Sequence, residues 1–371
     1  MNSTNLDSFR KSLAFFKHKR LVSVCCASLL LAACGSSSSS DSSSSSSDSA
    51  PTISDVGIRF SDAAVGDLDS VNITVDKLIF NQSGEDIIVD TFTSEELNLI
   101  DSDTFQLNLL DFQGLESSLV LDSVTLPVGD YQNFRIVILD DGTYVQETGS
   151  DTTNELKVPS GVLKLGGFTV SATSSQTFVV EFGLRQAMTY NPGPERYILK
   201  PTGVRIVRLE DAANISGTVD LSTASCLAAD DASLSHVAYL YAGHDLDASL
   251  LGDVFVREAD IEVSVDNVAG TDFDDVVADN IIAPVVSTSI DENGDYLFSY
   301  INAGDYTVGI ACNAAVDDPT LYDGITVPSP SGLVVELSVA QNQGMVCDFT
   351  EGFDVEACTV NVVEDVSDTE E

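Results

Sequence analysis

Apolar and polar residues alternate along much of the chain with a period of two, the mark of strands with one buried face. Val71, Ile73 and Val75 alternate with Asn72, Thr74 and Asp76. The apolar phase then shifts to Leu78 and Phe80, which predicts a bulge near Asp76-Lys77. Phe134, Ile136 and Ile138 share one face of a later strand, and Arg135, Val137 and Leu139 share the other. Phe178, Val180 and Phe182 alternate with Thr177, Val179 and Glu181, and Ile198 to Leu209 reads as one further long strand with Pro201 at an edge or bulge. Turn signals separate these runs: Ser83-Gly84, Asp141-Gly142, Pro159-Ser160-Gly161 and Asn191-Pro192-Gly193-Pro194. No long stretch keeps a helical period, although Ser94-Glu95-Glu96-Leu97 suits one short helix. Strands at this spacing predict an all-β fold, a β-sandwich or a barrel.

The N-terminus follows a different pattern. Arg10, Lys11, Lys17, Lys19 and Arg20 precede an apolar run from Leu21 to Leu31, and small residues Ala32-Ala33 come before Cys34. This is the layout of a secretory signal over 1–33, and the apolar run is shorter than the ~20 residues needed to span a bilayer. Leu31-Ala32-Ala33-Cys34 resembles the bacterial lipoprotein pattern. The resemblance implies cleavage before Cys34, a diacylglyceryl thioether on its sulfur and a further acyl chain, palmitate for instance, on the new amino terminus. Two or more acyl chains give stable membrane anchoring. Gly35 stands where an Asp favours inner-membrane retention in Gram-negative lipoproteins, so the resemblance implies the outer membrane, with the domains facing the periplasm or the cell surface. Residues 36–49 are serine apart from Asp41 and Asp48, a composition that predicts a flexible tether, so 34–51 reads as lipidated cysteine and tether.

Charge divides the remainder. The whole chain has a formal net charge of −43, and removing the signal, with five of the 16 basic residues and one of the 59 acidic ones, leaves 11 and 58, a net −47. Such a charge opposes nucleic acid and anionic lipid headgroups as partners. From 212 onward there are 31 acidic residues and one basic residue, Arg257, whereas 55–211 hold 25 and 10. The asymmetry predicts domains over 52–211 and 213–371, joined near Asp211–Asn214.

Cys226, Cys312, Cys347 and Cys358 all lie in the second half. An even number in an exported chain reads as two disulfides. Three connectivities are open; Cys226–Cys312 with Cys347–Cys358 is favoured because the last pair closes a short loop. A zinc site is the functional alternative, weakened by the absence of a Cys-x-x-Cys pair.

The first domain has a family resemblance. Ser61-Asp62-Ala63, Val71-Asn72-Ile73-Thr74-Val75 and Leu109-Leu110-Asp111-Phe112 occur in order. They are followed by Leu126-Pro127-Val128-Gly129-Asp130-Tyr131 with Arg135, Pro159-Ser160-Gly161 with Leu163-Lys164-Leu165, and Leu199-Lys200-Pro201-Thr202. Together they resemble the bacterial domain of unknown function 4382, which implies an exported β-sandwich and carries over no catalytic residue. Val180-Glu181-Phe182-Gly183 departs from that pattern, where an Asp is expected after the strand. Tyr131 reads as a packed core ring after a Pro-Gly turn, with a ligand role as the alternative.

In the second domain, Asn214-Ile215-Ser216-Gly217-Thr218-Val219, a Gly hairpin at Asp291–Phe298 and Ala303-Gly304-Asp305-Tyr306-Thr307-Val308 resemble the carboxypeptidase regulatory-like, transthyretin-like sandwiches. The two resemblances together imply an all-β chain of two tandem β-sandwich domains, and the second leaves 225–280 as an unplaced acidic insertion. Asp291, Asn293 and Asp295 begin like a calcium loop, but the positions that need Gly and Glu hold Tyr296 and Asn302, so a turn is expected. Asp272, Asp274 and Asp275 read as a solvated loop. His236 and His244 are the histidines left after the signal, and no nucleophile elbow, zinc helix or phosphate loop occurs. No enzyme, cofactor, catalytic residue or metal is therefore expected. The sequence predicts an outer-membrane, membrane-anchored envelope lipoprotein of non-catalytic binding or structural type. An envelope protein is one possible partner and a glycan the other, the latter making it a carbohydrate-binding accessory lipoprotein.

Overall fold

The computed structural model describes residues 52–63, 68–221, 236–255, 280–312, 314, 317–319, 321–350 and 358–361. The signal, Cys34, the serine run, Cys226 and the Asp272, Asp274 and Asp275 cluster lie outside the described residues, as does most of 225–280.

The first sandwich packs a four-stranded sheet against an eight-stranded one. The smaller sheet runs in the order Val204–Arg208, Ser175–Phe182, Ile53–Asp62, Ser118–Pro127. The larger centres on two 15-residue strands, Leu68–Gln82 and Asn133–Glu147, paired antiparallel. Alternation places Val56, Ile58 and Phe60 with Phe178, Val180 and Phe182 on the inner face of one sheet. Val71, Ile73, Val75, Leu78, Phe80, Phe134, Ile136 and Ile138 line the inner face of the other. Each buried Phe or Ile contributes about 1.5–3 kcal/mol relative to exposure.

The phase shift in Leu68–Gln82 is a bulge: Val75 pairs with Ile138 and Lys77 with Val137, so Asp76 is the extra residue. Three local expectations are corrected. Residues 94–97 are not helical: Phe92–Ser94 and Leu99–Ser102 pair as short strands around a turn, in which the Ser94 hydroxyl accepts from the Leu97 amide at 3.1 Å and Asn98 takes φ 54°. The run 198–209 is two strands, Arg196–Leu199 and Val204–Arg208, in different sheets; Pro201 and Gly203 (φ 82°) let the chain change layer between them. Asp141-Gly142 is not a turn between strands but an irregularity inside Asn133–Glu147, where the Thr143 hydroxyl accepts from the Thr74 amide at 3.0 Å in place of a ladder bond.

The second sandwich has two four-stranded sheets. One runs Asp295–Ile301, Ala213–Thr218, Gly344–Val346, Thr359–Val360, and the other Val286–Ile290, His236–Ala242, Gly304–Ala311, Val334–Val339. Ile215, Phe298, Val308, Ile310, Val335 and Phe349 fill the space between them. A further apolar cluster of Val237, Tyr239, Tyr241, Leu251, Val254 and Val327 covers the outer face of the second sheet. The expected Gly hairpin is a corner: the strands on either side of Asp291–Asp295 belong to different sheets. At Gly217 a Cβ would lie 1.9 Å from the Cys347 carbonyl oxygen, so only glycine lets the opening strand lie this close to its neighbour. Among the described residues, no helix is long and apolar enough to cross a membrane.

Candidate functional site

The outer face of the smaller sheet of the first sandwich is where the two sandwiches meet. Strand alternation turns Ser61, Glu181 and Arg205 away from the apolar core, and register sets them side by side, Ser61 opposite Glu181 and Glu181 opposite Arg205. On a lone sandwich this polar row would face water. Here the Asp295–Ile301 strand of the second sandwich supplies partners for it. Glu181 is fully buried; it accepts from the Ser299 hydroxyl and from the Arg205 guanidinium. Arg205 also donates to the Ser299 carbonyl, and through Nε to the Tyr300 carbonyl at 3.2 Å. The Tyr300 hydroxyl returns the contact by donating to the Leu115 carbonyl at 2.6 Å. Tyr300 holds φ 46°, a conformation that disfavours a bulky side chain and persists where surrounding contacts over-determine it.

Burial raises the Glu181 carboxyl above its usual range, opposed by the charge of Arg205 and by its hydrogen bonds. Asp62, one strand position on, is raised further. Burial is the main cause, the Glu181 charge adds to it, and the Gln113 amide, 3.5 Å away, works in the other direction. The arrangement suits a fixed joint, because its central carboxylate is committed to two partners and has no face toward solvent.

A second polar contact joins the sandwiches. The short helix Leu184–Ala187 of the first carries Arg185, whose Nη2 donates to Asp317 Oδ2 at 2.8 Å; the Tyr239 hydroxyl donates to the same oxygen at 2.7 Å. Burial raises the Tyr239 hydroxyl, and the Asp317 charge adds to the effect. Nearby, Asp253 is buried and accepts from the Ile325 amide at 2.7 Å. Burial, helped by the charges of Asp317 and Asp323, pushes its carboxyl up to about 7. Lys200 is lowered to about 8 by burial, with Asp318 acting the other way.

The residues singled out from the sequence fall elsewhere. Tyr131 is buried, stacks on Phe168 and donates to the Pro127 carbonyl at 2.9 Å, so it pins its turn. Asp291 accepts from the amides of Asn293 and Asp295 at 2.9 and 2.8 Å, the bonding of a turn. His236 donates to the Cys312 carbonyl at 2.6 Å and His244 to the Leu337 carbonyl at 2.9 Å; the two are not brought together. Cys347 and Cys358 are bonded to each other, and Cys312 is disulfide-bonded, while Cys226 lies outside the described residues. Among the described residues, no group of three or more His, Cys, Asp or Glu is placed to hold a metal ion. Sequence reasoning did not find the joint. Its one visible signal is a charged residue inside the apolar run Phe178-Val179-Val180-Glu181-Phe182, which demands a buried partner.

Residues 54–201 match the family model described as a domain of unknown function, DUF4382. No curated protein matches the chain. Among solved structures the chain is similar to the Bacillus anthracis TIE protein, at 10% identity and a TM-score of 0.16, covering 80% of this chain and 33% of that one. It is also similar to GBS52, the minor pilin of Streptococcus agalactiae, at 10% identity and a TM-score of 0.17, covering 79% and 94%. The chain thus spans about a third of the length of the TIE protein. At these scores the likenesses add nothing to the topology already described. The match to DUF4382 lies within the first sandwich, and the description of that family assigns no activity.

Proposed function

We propose that this protein is a lipid-anchored component of the bacterial outer membrane in which two docked β-sandwiches form a non-catalytic binding or structural module. The observation that carries the reading is the lipobox Leu31-Ala32-Ala33-Cys34 with the serine run behind it. The buried joint around Glu181 supports the second half of the proposal, since it couples the sandwiches into a body suited to presenting a fixed surface. The second sandwich we assign to the transthyretin-like type on its opening and Ala303–Val308 motifs. The test is Cys34→Ser with membrane fractionation and fatty-acid labelling: the variant leaves the membrane fraction and loses the label. Retention of both would overturn the anchor.

A specific observation favours a glycan as the ligand. Tyr190 is 47% exposed and lies against Tyr197, ring centroids 5.0 Å apart, with the Tyr197 hydroxyl donating to Glu147. An exposed aromatic pair beside a carboxylate offers an apolar face and a hydrogen-bond acceptor to a sugar ring. Tyr190→Ala is expected to weaken retention on insoluble polysaccharide; unchanged retention removes this surface from consideration.

A further inference from the structure

A recess of about 320 Å³ opens on the outer face of the larger sheet of the first sandwich, lined by Asn81, Gly84, Asp86, Asn133, Arg135 and Lys164. Strand register builds it. Lys164 lies opposite Arg135, and Asn81 pairs with Asn133 on one side and Asp86 on the other. The rim is the two-residue turn Ser83-Gly84, with φ 53° and 84°, the signs a tight hairpin requires. Gln132 holds that rim in place, its side-chain carbonyl accepting from the Ser83 amide at 2.5 Å and its backbone amide donating to the Asn81 carbonyl at 2.9 Å. The recess is therefore set by backbone, and its size falls within the range of small-molecule sites.

Its chemistry is unusual for this chain. Asp86 accepts from Asn81 Nδ2 at 2.7 Å and from Arg135, and both partners hold it below the usual carboxylate range, so it is ionised and committed. Arg135 has a further donor, Nε, buried without a hydrogen-bond partner among the described residues, and Asn133 has its Oδ1 in the same condition. Lys164 makes no ion pair among the described residues. In a chain of net charge −43, a recess with two cations and one carboxylate is a local positive site. No aromatic ring lines it, so a neutral sugar would find only hydrogen bonds, which water makes almost equally well. A ligand carboxylate gains more, because charge-assisted bonds are about twice as strong as neutral ones. The amides of Asn81 and Asn133 suit hydroxyl groups, because an amide carries two donors and an acceptor and Asn81 spends one donor on Asp86.

We infer that this recess binds a hydroxylated small carboxylate with the chemistry of a uronic acid: Lys164 meets the carboxylate, and Asn133 and Arg135 meet adjacent hydroxyls. The inference rests on the binding-type reading of the protein and is independent of its anchor. The experiment is amide and side-chain NMR titration of the lipid-free mature chain with galacturonate, galactose and acetate in turn, repeated on Lys164→Gln. Lys164 is half-exposed, and the fold is expected to survive the change. The expected result is saturable shifts at Asn81, Asn133, Arg135 and Lys164 with galacturonate, at an affinity at least about tenfold better than with either other probe and about tenfold worse in the variant. Equal response to galactose, equal response to acetate, unchanged binding in Lys164→Gln, or no shifts at the recess each overturns the proposal. Because the chain tested lacks its lipid, none of these outcomes touches the fractionation result for Cys34→Ser.

Discussion

Residues 55–211 hold 10 basic residues among 25 acidic ones, while 212–371 hold one among 31, and the two sandwiches are stabilised accordingly. The first pairs its own charges: Arg59 with Glu96, Arg135 with Asp86, Lys157 with Asp140 and Arg208 with Asp211. The second has the Cys347–Cys358 bond, and at its contact with the first it receives two arginines from outside itself. Arg185 pairs with Asp317, and Arg205 binds the carbonyls of Ser299 and Tyr300. The difference teaches that the second sandwich is not electrostatically self-sufficient at this surface. Its neighbour supplies the positive charge that its own composition lacks.

Breaking the joint tests that contrast most severely. Arg205→Met leaves Glu181 as an unpaired buried carboxylate and is expected to cost about 3–5 kcal/mol in urea unfolding. The combined Arg205→Met and Glu181→Met variant removes the charge as well as its partner and is expected to recover most of that loss. If the double variant is no better than the single, the cost comes from packing and not from the stranded charge. Replacing Cys347 and Cys358 with Ser releases a loop closed across 11 positions and is expected to cost about 2–3 kcal/mol, confined to the second sandwich. Arg185→Met comes next, at roughly 2 kcal/mol, because Asp317 keeps the Tyr239 hydroxyl.

Acidity sharpens the comparison further. The Asp253 carboxyl is raised from 3.8 to about 7 in the folded chain, so the folded state holds this proton more tightly than the unfolded one. Its contribution to stability is fully present below the unfolded value and is lost as pH rises through about 7. The stability of the native chain relative to Asp253→Asn is therefore expected to fall between about pH 4 and pH 7, measured as the difference in their melting temperatures. A constant difference would mean that Asp253 is not proton-linked to folding. At the small end, Lys157→Ala removes an exposed pair and is expected to change stability by less than about 0.5 kcal/mol.

Much of the architecture was legible because it depends on local alternation. The bulge at Asp76 and the core faces of Phe134–Ile138 and Phe178–Phe182 follow from residues within a few positions of one another. The errors arose where a tertiary choice overrode the local pattern. Pro201 marked an interruption in 198–209, but that the chain changes sheet there depends on where the second layer lies. Ser94–Leu97 had helical composition, yet pairing with Leu99–Ser102 decided it. The joint was hidden for the same reason: Ser61, Glu181, Arg205 and Ser299 are scattered over more than two hundred positions, and only register and docking bring them together. Tyr131, Asp291, His236 and His244 drew attention as residue types, but each is satisfied by nearby backbone.

The most direct test of the dependence of the second sandwich on the first is differential scanning calorimetry of the mature chain beside the Arg185→Met, Arg205→Met double variant. A single cooperative transition is expected for the native chain. In the variant it should split, with the second sandwich melting first. Two independent transitions in the native chain, with the variant leaving the transition of the second sandwich where it was, would contradict the account.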